Sequence, residues 1–380
     1  GRARALILAK SLILLGLIVY ANSLFNPFIG DDYGQLVKNP LVHSIINTPK
    51  LLFGGTFYEG EGGGLGGNYY KPLMPITFVF LYSIIGANSF FYHLLQVTLH
   101  IANATLIFLL FKKLFSKNLS FVLSLIFLVH PINAEAVVYI SDLQDVLFAF
   151  FGLIALLKFS VERVTSKRLI YINVLILLSI LSKETGFLFF LLLVAYSYLF
   201  VRKYFWKYTI SFSATFVLYL IMRFISIGID FNQVKVAPMM YEPLSSRLIN
   251  LPAILFFYIK TFFFPKNLIV FQNWVIRQIN FSSFYMPLAA IITFFLVLVV
   301  LGFYIYQKES QKIGYFIFFS FWLLIGLSLH SQIVPLDMTV SERWFYFPEI
   351  GLLALLGLAV SVFKIHKEIY FYVFIFFFVI

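Results

Sequence analysis

Long runs of hydrophobic residues, separated by short polar segments, dominate the chain. A helix needs about 20 mostly apolar residues to cross a bilayer, whereas a helix of a soluble protein carries only an apolar stripe. Ten runs approach or reach this length: residues 5–25, 90–111, 118–138, 143–160, 168–182, 186–201, 208–228, 284–306, 313–330 and 348–363. A further run, 369–380, is too short to span. The pattern predicts an all-α polytopic membrane protein with about 10–12 transmembrane helices.

Two apolar segments fit a membrane surface better than a membrane span. The run 248–264 contains Lys260 and Pro252 and is followed by Pro265, and counting it as a span would invert the orientation of everything that follows. We therefore predict an interfacial or partly inserted helix there. The segment 73–85 has only about 13 apolar residues, which indicates a helix lying on the surface.

The composition excludes most alternatives to a membrane protein. Of the 380 residues, 61% are hydrophobic and 12% are charged, and there are no cysteines. Soluble domains carry about 25% charged residues. These values exclude a soluble globular protein, a disordered chain and a disulfide-stabilised scaffold.

The distribution of charge predicts the orientation. With the N-terminus placed inside, the inner segments are 1–10, 112–117, 158–168, 202–207, 307–312 and 364–368. They hold 17 of the 28 Lys and Arg residues and 3 of the 16 acidic residues. Cytoplasmic loops are enriched in Lys and Arg, so the net charge of +12 is explained by topology without a nucleic-acid partner. We expect a cytoplasmic N-terminus.

The domain organisation follows from these spans. We predict a single membrane domain over 1–380, which is a fragment because the chain starts at Gly1 and stops inside an apolar run. The predicted outer loops cover 26–90, 131–142, 229–283 and 330–347. Long loops in compact proteins are usually functional. All six aspartates fall on this outer side: residues 31, 32, 142, 145, 230 and 337.

The first outer loop begins with two adjacent carboxylates, Asp31 and Asp32. They can be a general base with a helper carboxylate, or a pair of metal ligands, since adjacent acids at a membrane boundary are costly. A structural alternative is a solvated start of the loop, with Asp32 capping a short helix. A glycine-rich stretch at 54–67 lacks a phosphate-loop motif and favours a mobile lid.

A second group of polar residues follows the third predicted span. If 132–142 is helical, Glu135 and Asp142 share one face and form another acidic cluster. His130 is a candidate metal ligand, although a helix-end residue at a polar interface is the simpler interpretation. Lys183 and Glu184, in a short hairpin, either pair with each other or line a pocket for a lipid headgroup.

The late outer loop contains Glu342 and Arg343. An arginine guanidinium can bind phosphate through two parallel hydrogen bonds. Because an outer-face arginine opposes the charge bias, it needs a partner. Glu342 or a lipid phosphate would serve.

The order of these motifs resembles that of the polytopic glycosyltransferases of fold class C (GT-C). More narrowly, it is similar to the membrane part of the transmembrane-and-tetratricopeptide-repeat protein O-mannosyltransferases and their prokaryotic relatives. The matching motifs are Asp31-Asp32-Tyr33, Tyr70-Lys71-Pro72-Leu73, Phe91-Tyr92-His93-Leu94, His130-Pro131-Ile132-Asn133-Ala134-Glu135, Ser182-Lys183-Glu184-Thr185-Gly186 and Ser341-Glu342-Arg343-Trp344-Phe345-Tyr346-Phe347-Pro348. Two departures stand out: a basic residue is missing from Asp142-Leu143-Gln144-Asp145, and the glycine-rich insert is unusual.

The resemblance implies a transfer reaction at the outer face. A sugar, mannose or a similar hexose, would pass with inversion from a polyprenyl-phosphate donor to a hydroxyl of a protein Ser/Thr or of a glycan. Asp31 matches the position of the base and Asp32 its acidic neighbour. Arg343 and Lys183 would bind the donor phosphate. The supporting residues would be His130, Glu135, Asp142, Glu184 and Glu342.

The sequence also leads to expectations about a cofactor, the cellular location and an alternative function. No cofactor is obligatory, although Asp32 and His130 leave a divalent metal open. We expect a multi-pass protein of a prokaryotic plasma membrane, with the bilayer as a partner and no nucleic acid. The alternative function is a transporter or flippase of lipid-linked sugars, which would need charged or broken helices near the bilayer midplane and an internal repeat.

Overall fold

The computed structural model describes residues 2–56, 69–159, 165–228, 235–270 and 272–364. Most of the glycine-rich stretch, Asp230 and the run 369–380 lie outside these residues. The described part is all-α, with fourteen α-helices, short 3₁₀ and π turns, and one isolated β-bridge between Gln272 and Val340. The predicted fold class, an all-α polytopic membrane protein, is confirmed.

Each predicted run contains a helix. The fourteen helices are α1 (Arg2–Val19), α2 (Thr48–Leu52), α3 (Leu73–Ile85), α4 (Ser89–Phe111), α5 (Lys117–Val129), α6 (Ala134–Val138), α7 (Leu143–Phe159), α8 (Ser166–Ser182), α9 (Phe187–Phe200), α10 (Phe205–Ile227), α11 (Leu244–Phe263), α12 (Met286–Lys308), α13 (Ile313–Leu329) and α14 (Tyr346–Val362). Only α2, α3 and α11 lie outside the ten runs. The run 118–138 contains both α5 and α6, and each of the other nine runs corresponds to one helix.

The number of spanning helices is lower than the number of runs. By length and apolar content, seven helices of the described part can cross a membrane, or eight if α5 and the segment Pro131–Val138 form one bent span. The helices α8 and α9 are short, and α1 carries three basic residues in 18. The seven include α11.

The predicted run 118–138 is broken at its outer end. The chain bends by 48° between α5 and the segment Pro131–Val138. Proline at 131 has no backbone N–H to continue the helix, and His130 caps the new turn by accepting the N–H of Ile132. Residues 132–142 are therefore not one helix, and Tyr139 is extended between α6 and the turn Ile140–Asp142.

Both ends of α11 contact the same loop segments. Near its start, Arg247 donates to the carbonyls of Gln332 and Ile333. Just beyond its end, the N–H of Ile269 donates to Glu342. A helix of 20 residues is about 30 Å long, so a bilayer-crossing α11 would send its ends to opposite faces. The contacts favour the predicted interfacial helix.

The chain divides into two compact units. Unit 1 comprises Gly1–Leu110 and Ala136–Val234, and unit 2 comprises Phe111–Glu135 and Lys235–Ile380. In unit 1, α7 and α8 pack closely, with the Ser179 hydroxyl donating to the Phe148 carbonyl at 2.7 Å. The Gln96 side-chain amide of α4 donates to the carbonyls of Ala136 and Tyr139, both at 2.7 Å, and so fixes the middle of the second loop.

In unit 2 the tightest pair is α13 and α14. A Cβ atom at Gly351 would lie 2.8 Å from the backbone nitrogen of Leu323, so glycine is what permits this close approach. The Trp322 indole N–H donates to the Phe347 carbonyl at 3.0 Å. This packing fixes the start of α14, where the Ser341-to-Pro348 motif joins it.

Candidate functional site

Asp31 presents an exposed carboxylate on an anchored backbone. Its N–H donates to the hydroxyl oxygen of Tyr139 at 2.7 Å. The preceding residue, Gly30, has φ +49°, and a Cβ atom there would lie 2.7 Å from that hydroxyl. Burial raises the pKa of Tyr139, so its hydroxyl stays protonated. The backbone is thus fixed while the carboxylate remains exposed.

Asp32 is buried and serves as a structural centre of unit 1. One carboxylate oxygen accepts the N–H of Ser141 at 2.8 Å and its hydroxyl at 2.6 Å, and the other accepts the N–H of Ile29 at 3.0 Å. It makes no side-chain helix cap, contrary to the structural alternative. Burial raises its pKa above the ordinary value, against the opposing effect of these hydrogen bonds. Asp32 therefore joins the first loop to the second.

The acidic residues at the start of α7 are buried. The N–H of Asp142 donates to the Tyr139 carbonyl, which places Asp142 beside the Asp31 anchor. The predicted shared face of Glu135 and Asp142 is wrong, because Tyr139 interrupts the helix between them. Asp145 pairs instead with Lys183 at 2.5 Å.

Lys183 and Glu184 do not pair with each other. Lys183 lies over the Phe148 ring and binds Asp145, and it is largely buried. Glu184 accepts from the Arg223 Nε at 3.0 Å, and the Tyr219 hydroxyl lies at 3.4 Å. The predicted phosphate ligand Lys183 thus has an acidic partner within its own unit.

His130 is a fixed neutral residue of unit 2. Its Nδ1 accepts the Ile132 N–H at 3.1 Å, so its Nε2 carries the proton and donates to the Phe262 carbonyl at 2.8 Å. The ring is fully buried and stacks on the Phe262 ring, with centroids 4.8 Å apart. This histidine connects the second loop to the end of α11.

Glu135 and Arg343 form the central ion pair of unit 2. Arg343 Nη1 lies 3.3 Å from Glu135 Oε1, and the Arg343 backbone N–H donates to Oε2 at 3.1 Å. The Ser341 hydroxyl donates to the same carboxylate, 2.7 Å from Oε2 and 2.8 Å from Oε1. The sequence predicts Glu342 or a lipid phosphate as the partner of Arg343. The ion pair that the structure shows is with Glu135, and the lipid phosphate stays a prediction.

Glu342 forms a different contact within unit 2. It is buried, and its carboxylate accepts the N–H of Ile269 at 3.0 Å. It therefore holds the loop that follows α11 against the late loop. This leaves Arg343 as the predicted phosphate ligand that the late loop positions, with its guanidinium oriented by Glu135.

The predicted residues fall into two groups. Five lie in unit 1 and four in unit 2: Asp31, Asp32, Asp142, Lys183 and Glu184 in the first, and His130, Glu135, Glu342 and Arg343 in the second. The convergence of Asp31 with Arg343 on one reaction centre stays a prediction.

Several contacts of the predicted site residues are not evident from the sequence. Tyr139 and Ser141 give no signal, since hydroxyl residues are common at helix ends, and Ser341 belongs to the late-loop motif but has no role assigned to it from the sequence. Arg223 does give a signal, because it is a lone cation within the apolar run 208–228, and ionisable residues inside membranes are usually functional or paired.

The optional metal pair does not fit a metal site as arranged. Both oxygens of Asp32 and both ring nitrogens of His130 are engaged in hydrogen bonds. Among the described residues, no group of three or more His, Asp or Glu side chains is placed to hold an ion. A metal at either residue would have to displace those bonds.

The fold and these ion-paired loop segments define a multi-pass α-helical membrane protein with acidic and cationic side chains gathered at helix ends. Sequence similarity to named proteins indicates a more specific class of membrane protein. A Caenorhabditis elegans protein O-mannosyl-transferase, F38B6.6, is 29% identical over 193 residues, which is 49% of this chain and 27% of the relative. The human protein O-mannosyl-transferases TMTC1 and TMTC3 are each 32% identical, over 38% and 46% of this chain and 17% and 20% of their own lengths.

The predicted resemblance to the O-mannosyltransferases with tetratricopeptide repeats is thereby confirmed. The matched part covers less than a third of each of these relatives. No family model matches the chain, and no solved structure does.

Proposed function

We propose that the protein is a membrane glycosyltransferase that moves mannose or a similar hexose from a polyprenyl-phosphate donor to a hydroxyl of a protein Ser or Thr. The named relatives support the transfer to protein. The structural observation that carries the proposal is the exposed Asp31 carboxylate beside the Tyr139 anchor. The predicted orientation, with this face outside a prokaryotic plasma membrane and the N-terminus in the cytoplasm, is part of the proposal.

The reaction needs one base and a stabilised leaving group. Asp31 accepts the proton of the acceptor hydroxyl as its oxygen attacks the anomeric carbon. The bond from that carbon to the phosphate oxygen breaks on the opposite face, which gives inversion, and polyprenyl phosphate leaves with the electron pair. A phosphate leaving group needs no general acid. Arg343, oriented by Glu135, stabilises the developing charge on the phosphate.

The lipid part of the donor needs an apolar surface. In unit 2, a groove of about 360 Å³ between α11 and α12 is lined by Phe256, Ile259, Lys260, Phe263, Phe264, Ala290 and Ile291. Its walls suit a prenyl chain, and the exposed Lys260 suits an anionic head. Phe263, which lines the groove, directly follows Phe262, whose carbonyl accepts a hydrogen bond from His130. We propose that this groove holds part of the donor's chain.

The test is Asp31→Asn in membranes supplied with a labelled polyprenyl-phosphate mannose and a peptide acceptor. Loss of the general base should lower kcat by about 10²–10⁴-fold. Asp337→Asn is a matched control, since this partly exposed aspartate of the late loop has no role in the proposed chemistry. Near-normal transfer by Asp31→Asn would show that Asp31 is not the base.

A further inference from the structure

A carboxylic acid and an amide lie together in the buried interior of unit 2. Glu349, in the first turn of α14, and Asn133, in the turn after α5, are both 0% exposed. Asn133 Nδ2 donates to Glu349 Oε2 at 2.8 Å and to the Phe127 carbonyl at 2.8 Å. Both N–H groups of the Asn133 amide are therefore used.

Two oxygen atoms of this pair are left over. Asn133 Oδ1 and Glu349 Oε1 are buried and have no hydrogen-bond partner within the part of the chain that the structure describes. In the same part of the chain, no Lys, Arg or His forms an ion pair with Glu349. An amide oxygen and an ionised carboxylate are both acceptors only, so these two atoms cannot satisfy each other without a hydrogen between them.

A single proton on the Glu349 carboxyl gives both of these oxygen atoms a hydrogen bond. A protonated carboxyl has an O–H donor, and an amide facing an acid accepts that O–H while its own N–H donates to the acid's other oxygen. Leaving a buried polar atom unsatisfied is costly, and burying an unpaired charge is costlier still. The observed bond from Nδ2 to Oε2 is already one half of such a ring.

We infer that Glu349 is a protonated positioning residue: its O–H donates to Asn133 Oδ1 and closes a two-bond acid–amide ring that holds the His130–Glu135 segment against α14. This inference rests on the proposed function, because the segment it positions carries Glu135, and Glu135 orients Arg343.

The position of the ring in the chain supports this role. Asn133 lies two residues before Glu135, and Glu349 lies six residues after Arg343. The same two segments are joined again where Glu135 accepts from Ser341 and from the Arg343 backbone. Two points of attachment fix both the distance and the angle between these two segments. The Glu135 carboxylate therefore has a fixed position relative to the Arg343 guanidinium.

Glu349→Gln separates a neutral role from a charged one. A carboxamide has nearly the shape of a protonated carboxyl and can still donate to Asn133 Oδ1 while accepting from Nδ2. We expect kcat/KM for the donor to stay within about threefold of the wild type, because no hydrogen bond is lost. We expect Glu349→Leu, which removes the ring, to lower it at least about tenfold per folded molecule, mainly through the donor KM.

An infrared measurement reads the proton without any assay of activity. The purified protein should show a C=O stretching band of a protonated carboxyl that shifts in deuterated water, and this band should be missing from Glu349→Gln. The amount of folded, monodisperse protein, measured by size exclusion, serves as the denominator for the kinetic comparison. If Glu349→Leu does not fold, the kinetics of Glu349→Gln and the infrared band still test whether Glu349 is protonated.

The outcomes that overturn the inference are distinct. Absence of the band, or a Glu349→Gln variant that folds but loses transfer, shows that the residue acts as a charged group. An unchanged donor kcat/KM in folded Glu349→Leu shows that it positions nothing. A wild-type protein that shows the band but transfers no mannose refutes the proposed function while leaving the acid–amide ring in place.

Discussion

Tyr139 determines where Asp31 stands, because the phenolic oxygen receives the Asp31 backbone N–H at 2.7 Å. Nothing in the sequence marks this tyrosine, since the contact joins residues 108 positions apart. The two aspartates could be picked out from their position after the first span. Their different roles could not, because adjacent carboxylates look alike until the fold buries Asp32 and exposes Asp31.

Tyr139→Phe should impair catalysis more than folding. It removes the acceptor for the Asp31 N–H, and because Asp31 is exposed, water can replace that acceptor at little cost to stability while the loop is free to shift. We expect kcat to fall by about tenfold, with little change in the thermal midpoint. Tyr171→Phe, on an exposed face of α8, is the control. An unchanged kcat for Tyr139→Phe would mean that the anchor has no part in the reaction.

The pH dependence of stability tests the burial of Asp32. Its pKa in the folded protein is raised above the ordinary value of 3.8 because the carboxyl is buried. The protonated form is thus favoured by folding, and the stabilisation that Asp32 contributes is lost as pH rises through the folded pKa. As pH is lowered from neutral toward 3.8, the wild type should gain thermal stability relative to Asp32→Asn, which does not titrate there. A difference that is constant, or of opposite sign, would contradict the raised pKa.

The positions of the helices follow closely from the hydropathy of the sequence. The ten apolar runs all contain helices, because the bilayer leaves the backbone no other way to satisfy its polar groups. The breaks were harder to place. The bend at His130 and Pro131 depends on a side-chain cap and on the Phe262 carbonyl, a contact across 132 positions that no local pattern encodes.

The contact between α13 and α14 should not tolerate a side chain at Gly351. An added Cβ meets backbone atoms of Leu323, which cannot move without separating the helices. We expect Gly351→Ala to cost about 1–3 kcal/mol, seen as a lower thermal midpoint in detergent. At Gly302 the three atoms nearest to the added Cβ belong to the ring of Phe316, which can rotate away, so Gly302→Ala should cost less. Equal effects would show that the close approach is unimportant.

The groove between α11 and α12 gives a second test at this scale. Ala290→Trp places a large ring inside the groove, whereas Ala289→Trp adds the same ring at an exposed neighbouring position. If the groove holds the donor's chain, the first variant should raise the donor KM by about tenfold or more and the second should not, while kcat stays similar in both. A donor KM that responds equally to both variants would remove the groove from the donor site.

The topology of the whole molecule depends on whether α11 crosses the membrane. The helix is long and apolar enough to span, yet its ends contact the same loop segments. Composition could not separate these two cases, because an interfacial helix and a spanning helix of marginal hydropathy have similar sequences. The difference matters, since one extra crossing would move α12, α13 and α14 to the opposite orientation and place Arg343 on the other face.

Cysteine labelling tests whether α11 crosses the membrane. Because the sequence contains no cysteine, only the introduced residue reacts with the label. Single cysteines at Ser245, Lys266, Ser282 and Ser310, all exposed, are treated with a membrane-impermeant maleimide in sealed vesicles of each orientation. If α11 is interfacial, the first three label from one side and Ser310 labels from the other, which is the cytoplasmic side in the predicted orientation. If α11 spans, the sites divide two and two, with Ser245 alongside Ser310. Only the first grouping keeps the late loop on the face where Asp31 is predicted to act, so the second would refute the proposed reaction centre along with the topology.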